Sequence, residues 1–325
     1  MTQAISPQLI DWLEALCKVK VATSTLIQPL WSNYGACFRV TTTQGHRWVV
    51  KAVLYTEQHQ HPKGWQSSHS HERKRHSFVV EHYFYQYLQP KTSPFCYCPV
   101  LIASDTKENG HILVLEDLVD LGFTQTSPSL TVDNAVCVIK WLAAFHARFV
   151  GYNDDNVWQE GTYWHLATRQ DEWRAMAPSR LKDAAHSMAN TLAACPYQTL
   201  LHGDAKVANF CFTPAMNKCA AVDFQYTGHG VGVKDLAYFI GSALSEEDQA
   251  HYTEYCLNLY FSALATHLSS TLDKEEIRTL VSQWRQLYPI ACADFHRFLA
   301  GWSPEHWKIN NHLRGLSEQV LNSLN

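Results

Sequence analysis

The stretch that decides the fold reads Leu200-Leu-His-Gly-Asp-Ala-Lys-Val-Ala-Asn-Phe-Cys-Phe212 and resumes at Ala220-Ala-Val-Asp-Phe-Gln225. Its two short apolar runs flank a polar turn, which predicts a β-hairpin. If Phe212 faces Ala220, then Asn209 faces Asp223 at the open end of that hairpin. Opposed side chains in a hairpin lie about 5 Å apart. The pattern therefore predicts that an amide and a carboxylate meet there.

A second carboxylate, Asp204, lies upstream in a loop that follows the apolar run Leu200-Leu201. Carboxylate and amide oxygens suit Mg²⁺, which prefers one or two protein carboxylates together with water and substrate phosphates. Considered alone, Asp204 would be interpreted as a residue that caps a turn, and Asp223 as the end of a strand. Together with Asn209 they predict a magnesium site open to phosphate.

Composition bounds the possible functions. The chain has 325 residues, 26 Lys and Arg against 30 Asp and Glu, a formal net charge of −4 and 46% hydrophobic residues. The length favours two domains or lobes, and the hydrophobic content favours a packed core over disorder. The charge argues against a nucleic-acid partner. No apolar run reaches the roughly 18 residues of a membrane span, and the N-terminus lacks the features of a signal peptide. We expect a cytoplasmic globular protein without nucleic-acid or membrane partners.

The ten cysteines do not form a disulfide pattern. The closest pair is Cys96-x-Cys98, and there is no CxxC motif. Most lie in apolar runs, where a thiol is an ordinary small core side chain. We expect them buried and reduced, with a zinc or redox role as the alternative.

The N-terminal third is rich in strand patterns. Residues 7–20 carry a helical apolar stripe, with Ser6 as a candidate N-cap. Residues 37–43 and 47–55 then predict a hairpin around Gln44-Gly45, with Lys51 inside its second strand. Residues 100–104 and 111–118 predict another hairpin.

A polar stretch from Glu57 to Ser77 separates these hairpins and carries five histidines, which are His59, His61, His69, His71 and His76. It predicts a solvated loop, with a metal site as the alternative. Apolar spacing returns at Ser77 and predicts a helix to Leu88 that bears Glu81.

Helix patterns dominate from residue 118 onward. Residues 131–150 are apolar nearly all round, which is typical of a buried helix. The chain therefore divides into a strand-rich part with one helix, residues 1–117, and a mainly helical part, residues 118–325. This pattern predicts an α+β fold.

Several motifs resemble the aminoglycoside phosphotransferase and choline kinase superfamily, and in particular its ecdysteroid-kinase-like branch. The matching segments, in chain order, are Leu30–Val40, Lys51, Glu81, His202–Asn209 (HGD-x4-N), Asp223-Phe-Gln225 and Gly232–Phe239. The resemblance implies a protein-kinase-like, two-lobe fold. Residues 1–117 would form a nucleotide-binding lobe, and residues 118–325 would carry the catalytic loop and the acceptor site.

The resemblance implies an ATP- and Mg²⁺-dependent kinase that phosphorylates a hydroxyl group of a small molecule. Asp204 would accept or orient the hydroxyl proton, and Asn209 and Asp223 would hold Mg²⁺. Lys51, paired with Glu81, would contact the α- and β-phosphates.

The resemblance also assigns roles to residues around these. Lys206 would steady the γ-phosphate, or else be a solvated lysine. Ser32-Asn33-Tyr-Gly35 stands in place of a glycine-rich loop over the nucleotide, and Asn tolerates positive φ. The backbone from Glu116 to Leu118 would pair with adenine. Asp235 is expected to cap a helix and support the catalytic loop, while His146 and His202 are expected to be structural.

Alternatives remain open at this stage. A nucleotide-binding pseudokinase is one, and a protein kinase is another, although the loop reads HGD and no Ala-Pro-Glu segment follows. The acceptor site is expected to draw on residues 163–169, residues 226–229, Trp302 and Trp307. These aromatic residues suit a quaternary ammonium or a flat apolar alcohol. An antibiotic-modifying enzyme would need an acidic pocket, and Asp154-Asp155 is too weak a signal for one.

Overall fold

The computed structural model describes residues 5–30, 34–55 and 68–324. Contacts divide the chain into two compact units, one of residues 1–91 with 98–124 and one of residues 92–97 with 125–325. The sheet-rich first unit thus continues past residue 117. The mixture of an antiparallel sheet with a helical C-terminal part confirms the α+β class.

The first unit is an antiparallel sheet with two helices. Its elements are α1 (Pro7–Cys17), β1 (Val21–Pro29), β2 (Gly35–Thr42), β3 (Arg47–Leu54), α2 (Ser68–Tyr83), β4 (Leu101–Lys107) and β5 (Gly110–Glu116). The strand order is β1-β2-β3-β5-β4. Both predicted hairpins are present, and Gly45 supplies the positive φ of 86° that the β2–β3 turn requires.

Alternation along β3 determines which side chains face α1. Val50 and Ala52 are buried against Leu9, Trp12 and Leu13 of α1, together with inward residues of the neighbouring strands. Lys51 lies between them in sequence, so its side chain leaves the sheet on the opposite face. The hydrophobic pattern of β3 therefore fixes where the lysine projects.

Two elements differ from the sequence prediction. β1 was not predicted, because its sequence, VATSTLIQP, does not alternate regularly between apolar and polar residues; most of its residues are exposed at the sheet edge. The helix expected from Ser77 begins at Ser68 instead, so residues 68–77 are helical rather than loop. Part of the histidine-rich stretch, including His59 and His61, lies outside the described residues. On α2, His71 Nδ1 is hydrogen-bonded to the Tyr34 hydroxyl.

A buried carboxylate holds the end of β5. Asp117 accepts hydrogen bonds from Arg39, from Arg47 at 3.3 Å and from the Val119 N–H at 3.1 Å, and so caps a 3₁₀ turn of residues 118–121. Burial alone would raise the pKa of Asp117, but these hydrogen bonds and the two guanidinium charges keep it below its usual value. Asp117 therefore ties the segment after β5 to β2 and β3.

We predict that Asp117→Asn lowers the free energy of unfolding by about 1–3 kcal/mol at pH 7, because the arginines and the turn lose a charged acceptor. A lowered folded pKa contributes stability above the unfolded value near 4 and loses it as the pH falls below that. The difference from wild type should thus shrink on acidification. Urea unfolding at several pH values measures it.

Asp120→Asn is the matched control, since Asp120 pairs with Arg47 at 2.8 Å but is half exposed. Asp120→Asn should lower the free energy of unfolding by at most about 1 kcal/mol. Equal losses in the two variants would contradict the role given to Asp117.

The second unit is mainly helical. Its helices are α3 (Val132–Phe149), α4 (Gln170–Ala175), α5 (Arg180–Asp183), α6 (Ala185–Ala193), α7 (Val233–Ala243), α8 (Glu246–Leu268), α9 (Lys274–Trp302) and α10 (Asn311–Ser323). Its strands are β6 (Thr199–Leu201), β7 (Phe210–Phe212), β8 (Cys219–Ala221) and β9 (Gly228–Gly230), paired as β6–β9 and β7–β8. The predicted buried helix is confirmed as α3.

None of the cysteines of the chain forms a disulfide bond. Of the ten cysteines, all are free thiols and seven are buried. Within the described ranges, no helix is long and apolar enough to cross a membrane.

Candidate active site

The loop between β6 and β7 is fixed at its base by one carboxylate. Asp235, near the start of α7, is fully buried and accepts hydrogen bonds from the backbone N–H of His202 at 2.6 Å and of Gly203 at 3.0 Å. His146 of α3 donates to the same carboxylate at 3.2 Å, and its other ring nitrogen contacts the Tyr260 hydroxyl of α8 at 2.8 Å. Three helices therefore hold the loop through Asp235.

His202 links this loop to the end of β8. Its Nδ1 accepts a hydrogen bond from the Asp204 N–H at 3.2 Å, so its Nε2 carries the proton and donates to the Val222 carbonyl at 3.0 Å. Burial lowers the pKa of His202 despite the nearby carboxylates of Asp235, Asp204 and Asp223. The ring is thus a neutral structural bridge, as the sequence predicted for it.

Gly203 sits where no other residue fits. Its φ is +82°, and a Cβ at this position would lie 1.9 Å from the Tyr226 carbonyl oxygen. The close approach brings the loop against the segment that leads into β9. The glycine of the HGD motif is therefore required by backbone packing.

We predict that Gly203→Ala destabilises the protein by more than about 3 kcal/mol, because the backbone clash adds to the strain of the left-handed conformation. Gly151→Ala is the control within the same unit, since Gly151 has a φ of +73° but open space around it. Gly151→Ala should lower the free energy of unfolding by about 1–2 kcal/mol. Urea midpoints that shift equally in the two variants would contradict the packing argument.

The loop brings three of the predicted residues together. Lys206 Nζ lies 2.7 Å from Asp204 Oδ2, and Asn209 Nδ2 donates to the same oxygen at 3.0 Å and to the Asp204 carbonyl at 2.8 Å. Burial alone would lower the pKa of Lys206, but the charges of Asp204 and Asp223 outweigh it and raise the pKa. Lys206 is therefore ion-paired with Asp204, and its side chain stays 37% exposed.

The hairpin register differs by one residue from the prediction. Phe210 pairs with Ala221 and Phe212 with Cys219, so Asn209 lies opposite Val222 and not Asp223. The turn contains Met216 at a φ of 53°, a conformation that the sequence did not reveal. Asp223 instead follows the strand with a φ of 71°, so the chain turns sharply there.

The residues fit a hard divalent cation. Both hydrogen bonds of Asn209 use its Nδ2, and within the described residues its Oδ1 accepts none. The Asn209 amide is thus oriented by Asp204 with an oxygen left over for a ligand. That oxygen and a carboxylate of Asp223 are the donor types that Mg²⁺ takes when it keeps waters and substrate phosphates.

In the first unit, Lys51 and Glu81 form the predicted ion pair. Their charged atoms are 2.7 Å apart, and both side chains are largely buried. Gly35 lies at the start of β2, where a Cβ would be 2.0 Å from the Ala52 carbonyl oxygen, so β2 packs closely on the strand that carries Lys51. Ser32 and Asn33 lie outside the described residues.

The predicted hinge leaves the sheet as an irregular segment. Glu116 ends β5, and its N–H donates to the Val100 carbonyl at 3.0 Å. Leu118 begins the 3₁₀ turn that Asp117 caps, and the first N–H groups of such a turn have no partner within it. The backbone there has the donor that adenine recognition would need.

A group of aromatic residues lies near Asp204. The Tyr163 and Tyr238 rings lie 5.4 Å apart, and Tyr163 contacts Phe298 at 5.3 Å. Burial raises the pKa of Tyr238, and the charges of Tyr163 and Asp204 and hydrogen bonding to both raise it further. Tyr163 was predicted as an acceptor residue from sequence, whereas Tyr238 was not.

Lys308 was also missed by the sequence analysis. Its Nζ lies 4.5 Å from the centroid of the Tyr238 ring. It follows α9, about a hundred residues after the HGD motif, and no spacing or motif connects the two. Of the other predicted acceptor residues, Trp302 stacks on Phe298 at 5.7 Å, and Trp307 is exposed. The Asp154 carboxylate accepts a hydrogen bond from the Asn156 N–H in a local turn.

Comparisons with known proteins agree with the predicted resemblance. The sequence model of the ecdysteroid kinase-like family matches residues 162–272, which include the HGD loop, Asp223 and Asp235. The resemblance to that branch of the superfamily is therefore confirmed over this segment. No curated protein matches the chain significantly.

Solved structures of small-molecule kinases share the fold. An amicoumacin kinase in complex with AMP-PNP, Ca²⁺ and Ami matches with a TM-score of 0.55 at 12% identity, over 98% of this chain and 92% of that one. A microcompartment-associated aminopropanol kinase gives 0.53 at 14% identity, over 93% of both chains. The GDP complex of aminoglycoside 2′-phosphotransferase-IIIa gives 0.52 at 8% identity, over 98% and 100%. At these identities, the likeness shows the fold.

Proposed function

We propose that this protein is an ATP- and Mg²⁺-dependent kinase that transfers the γ-phosphoryl group to a hydroxyl of a small molecule. The observation that carries the proposal is the arrangement of Asp204, Lys206 and Asn209 on one loop, with Asp235 holding that loop from below. The cytoplasmic location and the division of roles at residue 117 stay predictions.

Asp204 is the proposed base. The bonds from Lys206 and Asn209 both fall on its Oδ2. The Tyr238 hydroxyl also hydrogen-bonds to this carboxylate, and an acceptor hydroxyl would bind beside Tyr238 or take its place. In the proposed reaction the acceptor oxygen bonds to the γ-phosphorus, the bond from that phosphorus to the bridging oxygen of ADP breaks, and the hydroxyl proton passes to Asp204. Phosphoryl transfer depends mostly on positioning and charge, and this loop supplies both.

The other predicted residues take the remaining roles. Asn209 and Asp223 would hold Mg²⁺, which neutralises phosphate charge when bound. Lys206 would place its ammonium group next to the γ-phosphate. Lys51 would contact the α- and β-phosphates, with Glu81 fixing its position. The backbone from Glu116 to Leu118 would bind adenine, and Ser32, Asn33 and Gly35 would cover the nucleotide.

We predict that Asp204→Asn lowers kcat at least about 100-fold, because the general base is lost. Isothermal titration with ATP should show that nucleotide binding is retained. Asp154→Asn is the control, since the Asp154 carboxylate accepts hydrogen bonds from its near neighbours in sequence, the Asn156 N–H and the Tyr152 hydroxyl. An unchanged kcat in Asp204→Asn would remove Asp204 from the mechanism.

The acceptor can be sought at the same time. A pooled metabolite extract is incubated with ATP and Mg²⁺ and either wild type or Asp204→Asn, and mass spectrometry looks for compounds that gain one phosphoryl group. A product formed only by wild type supports the kinase. Mg²⁺-dependent ATP binding without any product would favour a pseudokinase, and absence of ATP binding would overturn the nucleotide assignment.

A further prediction concerns the Lys51–Glu81 pair. Lys51→Met should abolish activity and also lower stability by about 3–5 kcal/mol, because it leaves the buried Glu81 carboxylate without its cation. Adding Glu81→Gln should restore part of the stability but none of the activity. Thermal unfolding and ATP turnover of the single and double variants measure this, and a double variant that regains activity would contradict the phosphate role of Lys51.

A further inference from the structure

One face of the site combines aromatic rings with a cation. Tyr163 lies within the electrostatic reach of Asp204, Tyr238 packs on Tyr163, and Phe295 packs on Tyr238 at 5.0 Å. Phe298 and Trp302 extend this aromatic surface by stacking at 5.7 Å. We call the rings of Tyr163, Tyr238, Phe295, Phe298 and Trp302 the aromatic wall. It begins beside the proposed base. Tyr238, Phe295 and Phe298 are buried, whereas Tyr163 and Trp302 are partly exposed.

Lys308 is the cation on this wall. Its Nζ lies 4.5 Å from the centroid of Tyr238, 5.9 Å from that of Phe295 and 5.4 Å from that of Trp307. Burial lowers the pKa of Lys308 to about 8, against the opposing influence of the Asp204 charge. Within the described residues, no carboxylate lies within ion-pair distance of this ammonium group, which rests on ring faces alone.

Several carboxylates of this unit form ion pairs with cations other than Lys308. Glu172 binds Arg169 at 2.9 Å, Glu160 binds Lys234 at 2.7 Å and Asp294 binds Arg297 at 2.7 Å. Asp204 itself binds Lys206 at 2.7 Å. Lys308 is therefore the charged group on the aromatic wall with which a ligand would interact.

The balance of charge decides the kind of acceptor. A quaternary ammonium or an aminoglycoside would bring positive charge next to Lys308 and Lys206, and the carboxylate best placed to compensate is engaged with Lys206. A carboxylate or another acidic group would instead form a charge-assisted hydrogen bond with Lys308. The partly exposed rings of Tyr163 and Trp302 would cover the apolar body of the same molecule.

We propose that the acceptor is an apolar alcohol that also carries an acidic group, and that Lys308 binds this group while the hydroxyl lies at Asp204. This inference rests on the proposed kinase function and narrows its substrate to the class of apolar hydroxy acids. Lys308 is a specificity residue in this scheme and takes no part in phosphoryl transfer.

The first test uses paired probes. Thermal shift with Mg²⁺ and AMP-PNP compares 4-(hydroxymethyl)benzoic acid, 12-hydroxydodecanoic acid and lithocholic acid with their methyl esters, and with choline. We expect at least one acid to raise the melting temperature of wild type more than its ester and more than choline does. If no acid exceeds its ester, or if choline gives the largest shift, the proposal is overturned.

Variants then separate recognition from folding. Lys308→Met should weaken binding of the preferred acid about 10-fold or more, the size of one charge-assisted hydrogen bond, and leave binding of its ester unchanged. Lys308→Arg should keep the preference for the acid, and Lys218→Met, in the exposed β7–β8 turn, is the matched control. Equal losses for acid and ester in Lys308→Met would show a purely structural lysine and overturn the proposal.

Turnover distinguishes this inference from the kinase proposal. With a preferred acid that is phosphorylated, Lys308→Met should raise KM and leave kcat within about 3-fold, whereas Asp204→Asn lowers kcat. Acid-selective binding without any ATP-dependent product would support Lys308 while the kinase proposal fails. Phosphorylation of only neutral or cationic metabolites would support the kinase and overturn the acidic acceptor.

Discussion

The hydrogen bonds from two successive backbone N–H groups to the Asp235 carboxylate are the constraint on which the site depends. A loop has no ladder of its own to satisfy such groups, and burying them unpaired is costly. A buried carboxylate is equally unfavourable without donors. Each therefore requires the other, and His146 and Tyr260 extend the same chain of contacts into α3 and α8. The positions of Asp204, Lys206 and Asn209 follow from where Asp235 holds the two residues before them.

Much of this was readable in the sequence because the decisive residues are close together along the chain. Asp204, Lys206 and Asn209 lie on one short loop, and Lys51 lies inside a strand whose alternation is plain. The hairpin register could not be predicted, because it depends on the turn geometry, and the left-handed residue of this turn, Met216, is not of a type that favours that conformation. The start of α2 was missed because Ser68–Ser77 has no apolar stripe, and its side chains are almost all polar.

Lys308 shows the other limit of sequence reasoning. Lysine is usually exposed, and a lone lysine after a long helix carries no signal of its own. Its position on the Tyr238 ring brings the segment after α9 against α7, and neither segment carries a sequence pattern that predicts this contact. Contacts between distant segments are therefore the information that a single sequence does not contain, and the proposed class of acceptor depends on one of them.

The left-handed conformation of Asp223 has a consequence for how such a protein can change over evolutionary time. At a φ of 71°, a residue with a Cβ is less favourable than glycine. A lineage released from selection for catalysis would lose this backbone strain by drifting to glycine here, and one codon change suffices to convert Asp to Gly. An aspartate at this position is therefore not what relaxed selection would favour. Its persistence would serve as a marker for members of such a lineage that still use the site.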